Sequence, residues 1–374
     1  MGSYRIGKIF GIDIEIHFTF ILVLLFIFLY SSLFVGGGLV SGISALIYFV
    51  ILFTLVILHE LAHSAVAIVS GIRVSKITLL PIGGVATMEI PEKPSLELVM
   101  AIAGPLLNFT LAFIFLIPLV MYSIVTDHST FASGLSGALS PKAIFSIEGI
   151  LLLIIAANLV LGSFNLLPIF PMDGGRIFRA ILAFFMDYVD ATEIAVILGQ
   201  FMSVLMTILG FVLGNIFLVL IGILIFFAGD QELKVVKLRH SLKGIYLRDV
   251  TLRDLERVPS NMTLAEFFRN KFSNHIFYAI VDDQDEIHGY LDLRTIPELK
   301  DKGIMQKKIE ELSLKAPILD INSEVSDVLL KLLESDFVFV SENGKIIGYT
   351  FLPYVIEFGK IRKLLRSFFK AEAG

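Results

Sequence analysis

Cysteine is absent from the 374 residues of this chain. Its absence excludes disulfides and thiolate chemistry, and it leaves His, Asp and Glu as the only strong metal ligands. Charge is scarce as well, but only in one part of the chain. Residues 1–229 hold 8 Lys and Arg against 12 Asp and Glu, whereas residues 230–374 hold 22 and 23. Neither block is basic overall, which argues against a nucleic-acid partner. The hydrophobic fraction, 56 %, exceeds the usual range for soluble chains. The first block is too apolar for water and the second has ordinary globular composition. We therefore expect a transmembrane domain over 1–229, a charged connector over 230–245, and two aqueous halves over 246–302 and 303–374.

Uncharged runs mark the spans, each of which needs about 20 apolar residues. They cover Phe18–Val35, Ile43–Leu58, Leu98–Val125, Gly149–Met172 and Ile194–Ala228. The last run is too long for one crossing and slightly short for two, so a tight turn near Gly214-Asn215 would fold it into a hairpin of short spans. The reading favours six spans over five. The N-terminal run is too long for a secretory signal, and further spans follow it. With the N-terminus inside, the cytoplasmic segments carry Arg5, Lys8, Arg73, Lys76, Lys93, Arg176 and Arg179, and the outer loops carry only Lys142. That bias also places the charged C-terminal block in the cytoplasm. Between two spans, Arg73–Leu80 and Val85–Ile90 are rich in Val, Ile and Thr around Pro81-Ile82-Gly83-Gly84 and predict a β-hairpin.

Charges at bilayer depth are costly, so each needs a reason. His59-Glu60-Leu61-Ala62-His63 follows sixteen uncharged residues. Helical residues four apart share a face, so the two imidazoles can converge on one metal ion, with Glu60 beside them to accept a proton from water. Zinc suits two His and one carboxylate in tetrahedral geometry with one position open. A buried His pair satisfied by other helices, or a proton relay, is the competing reading. For the third ligand, Asp173 stands in Asn165-Leu166-Leu167-Pro168-Ile169-Phe170-Pro171-Met172-Asp173-Gly174-Gly175. Two prolines break the helix there and two glycines let the backbone turn. The preceding span runs inward, so Asp173 reaches the leaflet of His59 and His63. Asp173 is also placed to cap a following helix through Phe185, a role that does not exclude ligation.

Together these segments resemble the site-2 protease family of intramembrane zinc metalloproteases. His59 to His63 fits its zinc motif, and Asn165 to Gly175 fits its Asn…Pro…Asp-Gly signature. Ala103-Gly104-Pro105-Leu106-Leu107-Asn108 is similar to its Gly-Pro-x-x-Asn segment. Gly7 to Gly11 and Ile16-His17 are similar to family openings, His17 reading as an interfacial residue rather than a ligand. The resemblance implies one zinc ion per chain on His59, His63 and Asp173, with Glu60 as general base. It also implies that Asn108 and Asn165 support the ligands or position substrate, although each Asn could equally glue spans together by an interhelical hydrogen bond. The substrates implied are transmembrane proteins within the lipid bilayer of the cell membrane. The hairpin offers an edge strand to an unwound substrate segment.

In the C-terminal block two similar units run from about Leu247 to Leu299 and from Leu312 to Ile361. Each has an amphipathic helix, a β-rich stretch and a Gly-Tyr strand: Leu264–Phe272, Phe277–Val281 and Ile287 to Tyr290, then Val325–Leu333, Phe337–Val340 and Ile346 to Tyr349. This repeat resembles a tandem pair of cystathionine-β-synthase (CBS) domains. The fold class expected is thus a polytopic α-helical membrane protein with a cytoplasmic α/β CBS pair. The resemblance implies adenine-nucleotide binding and pairing with a second copy. Asp292 and Thr295, then Phe351 and Tyr354, depart from the family's nucleotide pattern, which leaves nucleotide binding open. A CBS-regulated transporter or channel, or an inactive protease-like scaffold, is the alternative. A transport path would spread polar residues along the membrane block, whereas here they gather at one depth.

Overall fold

A computed structural model of the chain describes residues 3–36, 38–81, 83–88, 92–126, 143–296 and 303–372. Lys142, Ile82, the hairpin residues Glu89 and Ile90, and the expected boundary at 302 lie outside the described residues. The chain divides into two compact units, Met1–Val236 and Lys237–Gly374.

The first unit opens with strands β1 (Ser3–Ile9) and β2 (Ile12–His17) and helices α1 (Phe18–Phe34) and α2 (Leu39–Val69). Strands β3 (Val74–Leu80) and β4 (Gly83–Met88) follow, then α3 (Pro94–Thr126), α4 (Ile147–Asn165), α5 (Asp173–Leu182), α6 (Tyr188–Val212) and α7 (Ile216–Leu242). Among the described residues five helices, α2, α3, α4, α6 and α7, are long and apolar enough to cross a membrane, and α1 adds a shorter apolar helix of 17 residues. The expected turn at Gly214-Asn215 separates α6 from α7. Gly214 takes a positive φ of 66°, and the Asn215 carboxamide accepts from the Leu218 amide at 3.2 Å, capping the new helix.

The predicted hairpin forms as β3 and β4, but it belongs to a larger sheet of order β1-β2-β3-β4. The N-terminal hairpin docks on it with β2 parallel to β3. Alternation explains why: Ile12 and Ile14 turn into a core with Ile77, while Asp13 and Glu15 turn outward. Outside, Lys76 bridges Glu15 at 3.2 Å and Arg5 bridges Asp13 at 2.9 Å. His17 ends the strand and caps α1, its Nδ1 meeting the Thr19 hydroxyl at 2.7 Å.

Beneath the helices lies a buried polar knot. Arg179 of α5 donates through Nε to Glu97 of α3 at 2.9 Å and through a terminal nitrogen to Glu232 of α7 at 2.8 Å. Tyr188 donates its hydroxyl to Glu97 at 2.9 Å, and the rings of Phe170 and Tyr188 lie 4.8 and 4.9 Å from the guanidinium. Arg179 is only 4 % exposed, because two carboxylates and two rings enclose it.

The second unit contains β5 (Arg257–Pro259), α8 (Leu264–Asn270), β6 (Phe277–Val281) and β7 (Ile287–Asp292), then β8 (Ile318–Asp320), α9 (Leu329–Ser335), β9 (Phe337–Glu342), β10 (Lys345–Phe351) and α10 (Leu352–Glu372). Each half forms a three-stranded sheet with its first strand parallel, and its last antiparallel, to the middle one. The second helix starts at Leu329 rather than Val325, residues 325–328 forming turns and bends instead. The halves interlock: Leu252 bridges Tyr349 and Leu314 bridges Tyr290. Gly289 and Gly348 make room for those crossings, since a Cβ on either would strike the carbonyl of Leu314 or Leu252. The rings of Tyr290 and Phe337 stack at 4.0 Å between the sheets.

The Arg179 knot generates a stability prediction. Arg179→Met strands the buried carboxylate of Glu97, while Glu232 keeps partial access to solvent, and is expected to cost about 3–5 kcal/mol. Unfolding of the detergent-solubilised chain measures it; a loss of under about 1 kcal/mol would mean the pair behaves like an exposed one.

Candidate metal centre

Residue order along α2 fixes the first two donors. His59 and His63 are one helical turn apart, with ring centroids 4.7 Å apart. The third donor depends on a break in the chain. After α4 ends at Asn165, the backbone turns through Pro168 and a cis Phe170-Pro171 peptide before α5 begins. The turn is too tight for side chains at its far end. A Cβ at Gly174 would strike the carbonyls of Leu166 and Leu167, and one at Gly175 would come within 2.7–2.9 Å of the Ile169-Phe170 peptide. Asp173 is therefore the first residue of α5, and Met172 takes the cap position without a side-chain bond. The expected capping role of Asp173 is not taken, because its carboxylate points to the histidines instead, and α5 ends at Leu182 rather than Phe185.

Three atoms meet there. His59 Nε2 and His63 Nε2 lie 3.1 and 3.2 Å from Asp173 Oδ2, and 3.1 Å from each other. All three residues are buried. The opposite ring nitrogens are already engaged: His59 Nδ1 donates to Asn108 Oδ1 at 2.5 Å, and His63 Nδ1 donates to the Met100 carbonyl at 2.7 Å. Each imidazole therefore presents a lone pair at Nε2, and the carboxylate oxygen presents another. Three acceptors converging in this way suit a cation. Tetrahedral zinc with ligands at about 2.0–2.1 Å sets neighbouring donor atoms about 3.3–3.4 Å apart, close to the triangle observed. Zinc is the cofactor that these donors fit.

Two features of α3 complete the arrangement. A Cβ on Gly104 would clash with His63 Nε2 and lie 2.5 Å from His59 Cε1, so only glycine leaves space for the centre. Asn108 is fully buried and gives its amide to Asn158 Oδ1 at 2.8 Å, while Asn158 donates to the Ile154 carbonyl at 2.8 Å. This chain fixes which end of the Asn108 carboxamide faces His59. Asn158 was not foreseen, although an uncompensated Asn in the middle of an apolar span is a signal. Asn165 is not brought to the ligands; its amide donates to Leu161 of its own helix at 3.0 Å. His17 lies in the sheet and caps α1, apart from the donors.

Glu60 is half-buried and reaches toward the sheet. A Cβ on Gly84 of β4 would lie 2.7 Å from its Cγ, so glycine there leaves room for the carboxylate stem. Among the described residues strand β4 pairs only with β3, which leaves its other edge without a strand partner there.

In the second unit, Asp292 is buried and gripped by Arg294, whose Nε and terminal nitrogen donate at 3.0 and 2.8 Å. The same guanidinium bonds Asp336 at 2.9 Å and lies 4.8 Å from the Phe277 ring, and Thr295 donates to the Asp292 carbonyl at 2.8 Å. In the second half the corresponding positions, Phe351 and Tyr354, have their rings 5.9 Å apart.

With this geometry in hand, comparison with known proteins places the chain. Residues 47–209 match the model of peptidase family M50. The chain is 34 % identical over 348 residues to the zinc metalloprotease MJ0392 of Methanocaldococcus jannaschii, covering 92 % of this chain and 93 % of that one. It belongs to peptidase family M50. The membership makes it a metalloprotease, and its apolar helices make it a multi-pass membrane protein. A solved structure of the site-2 protease from Methanocaldococcus jannaschii is 37 % identical over 62 % of this chain and 94 % of its own, with a TM-score of 0.45. The CBS domain of a bacterial CNNM/CorC family Mg2+ transporter, solved with ATP, is 15 % identical over 34 % of this chain and 95 % of its own, with a TM-score of 0.28.

The carboxamide chain yields a second prediction. Removing the His59 partner with Asn108→Ala should weaken zinc binding about 10–100-fold, and Asn158→Ala should weaken it less. Competition with a metal chelator measures both, and unchanged affinity in both would mean that packing alone holds the ring.

Proposed function

We propose that this peptidase hydrolyses peptide bonds in or near a transmembrane segment of membrane-protein substrates. The convergence of three lone pairs within 3.2 Å inside an apolar bundle carries this reading. His59, His63 and Asp173 hold the zinc. When bound, zinc supplies Lewis acidity, polarising a peptide carbonyl and lowering the pKa of water toward ~7. Glu60 takes a proton from the attacking water and returns it to the leaving amine. Asn108 keeps His59 in the ligating tautomer. Asn165, at the end of α4, positions substrate. The N-terminus and the second unit face the cytoplasm, as the distribution of Lys and Arg favours. The second unit regulates cleavage as a CBS pair, with a second copy as its partner. Asp292 is held by Arg294 and Phe351 lies beside Tyr354, so regulation by adenine nucleotide has little support from these side chains.

A substrate helix hides its carbonyls in its own hydrogen bonds and must unwind before attack. The open edge of β4, adjoining Glu60 at Gly84, supplies the replacement partners. Proline at Val85 or Thr87 should cut cleavage of a single-span reporter while zinc content stays constant; full cleavage in both variants would reject strand addition.

Glu60→Gln should retain stoichiometric zinc and lose proteolysis, whereas His59→Ala and Asp173→Ala should lose the metal itself. Metal analysis of the purified variants beside reporter cleavage separates these outcomes. Wild-type protein without zinc, or with zinc but without Glu60-dependent cleavage, would overturn the protease reading in favour of a scaffold.

A further inference from the structure

The last helix changes character halfway along. Up to Gly359, α10 is docked: Val355 is fully buried, Leu352 and Phe358 pack on the same core, and a Cβ on Gly359 would lie 2.9 Å from Leu242. Beyond it the helix runs on for roughly 20 Å to Glu372 at 1.5 Å per residue. There Ile361, Leu364 and Leu365 are 55, 68 and 51 % exposed. Ile361 and Leu365 also line an open hollow of about 360 Å³ with Phe358, Asp249 and Arg362, which the described side chains leave unfilled.

The sequence of this extension is GKIRKLLRSFFKAE. Apolar residues fall at 361, 364, 365, 368 and 369, the i, i+3, i+4, i+7, i+8 spacing of one helical face. At 100° per residue they share an arc of about 140°. The basic residues Lys360, Arg362, Lys363, Arg366 and Lys370 all occupy positions outside that arc, and the one carboxylate is Glu372. Arg362 donates to the Gly244 carbonyl and ties the base of the extension to its unit. An apolar arc set against a dense basic arc is the pattern of a helix that lies in a membrane interface, its hydrocarbon side chains among the acyl chains and its cations among anionic headgroups. Aqueous partners would find a cationic surface, but an anionic bilayer matches both faces at once. The bilayer is already at hand, because the same chain is anchored in it and presents the helix at high effective concentration.

We propose that residues 360–372 form an interfacial anchor that binds the anionic lipid surface of the membrane holding this chain. Binding would hold the second unit at that surface, so that lipid charge governs its freedom to move.

The chain contains no tryptophan, which supplies a clean probe. Leu364→Trp places a single fluorophore on an exposed position. The full-length variant is reconstituted into vesicles of phosphatidylcholine, or of phosphatidylcholine and phosphatidylglycerol in equal parts. Blue-shifted emission that brominated acyl chains quench is expected in the anionic vesicles alone, and high salt should reverse it. Adding Lys363→Gln and Arg366→Gln should weaken binding roughly 25-fold, about fivefold for each charge removed. Water-like emission in both vesicle types would overturn the proposal. So would a blue shift that ignores lipid charge and grows with the protein-to-lipid ratio, which would assign the face to a second copy of the chain.

Discussion

Everything in the membrane unit depends on holding two imidazoles and a carboxylate within 3.2 Å of one another in surroundings that solvate charge poorly. In water such groups would be hydrated separately. In an apolar bundle each polar atom must find a partner or a counter-ion. The structure meets this from the outside inward. Met100 and Asn108 occupy the outer nitrogens of the two rings, Asn158 orients Asn108, and the inner lone pairs are left to the cation. Removing any outer partner frees a ring to turn or change tautomer, which is why the support extends two residues back from the ligands.

The carboxylate is held differently. Among the described residues Asp173 bonds only the two histidines, and its place follows from where α5 begins. That start is fixed from one side by the Leu166–Met172 turn, whose tightness requires Gly174 and Gly175, and from the other by Arg179, six residues on, bound to α3 and α7 through Glu97 and Glu232. The buried ion pair need not add net stability. Its directional fork ties α5 to α3 and α7 six residues beyond Asp173.

These dependences explain what the sequence could reveal. His59, Glu60 and His63 were legible because the helical repeat alone brings them together. Asp173 was legible because proline and glycine mark a break next to an uncharged run. The division of Ile194–Ala228 at Gly214 was legible for the same reason. The sheet was only half legible. β3 and β4 are local in sequence, but β2 reaches β3 in a parallel pairing about sixty residues away, and Ile12-Asp13-Ile14-Glu15 shows alternation without naming its partner. The pocket around Arg179 was not legible, because its charge counts equally for a cytoplasmic loop and for a buried ion pair, and its partner Glu97 is 82 residues distant. Gly104 gave no local sign that its missing side chain is the room occupied by the histidines.

The sheet beside the metal centre answers a problem of backbone accounting. A substrate segment that unwinds in an apolar setting leaves carbonyl and amide groups unpaired, at several kcal/mol each. In the proposed reading, zinc and Glu60 would act on one peptide bond and compensate none of the others. An open strand edge does, residue by residue, because its donors and acceptors recur at the spacing of an extended chain. Such an edge in water would be an aggregation liability, so in the proposed reading its placement next to Glu60 has a functional logic. Gly84 joins the two requirements. A side chain there would push Glu60 aside, while its backbone belongs to the strand on which, in the proposed reading, substrate is laid. Cleavage by this route would require the edge and Glu60 to share one small volume, and glycine at 84 is the residue that lets them.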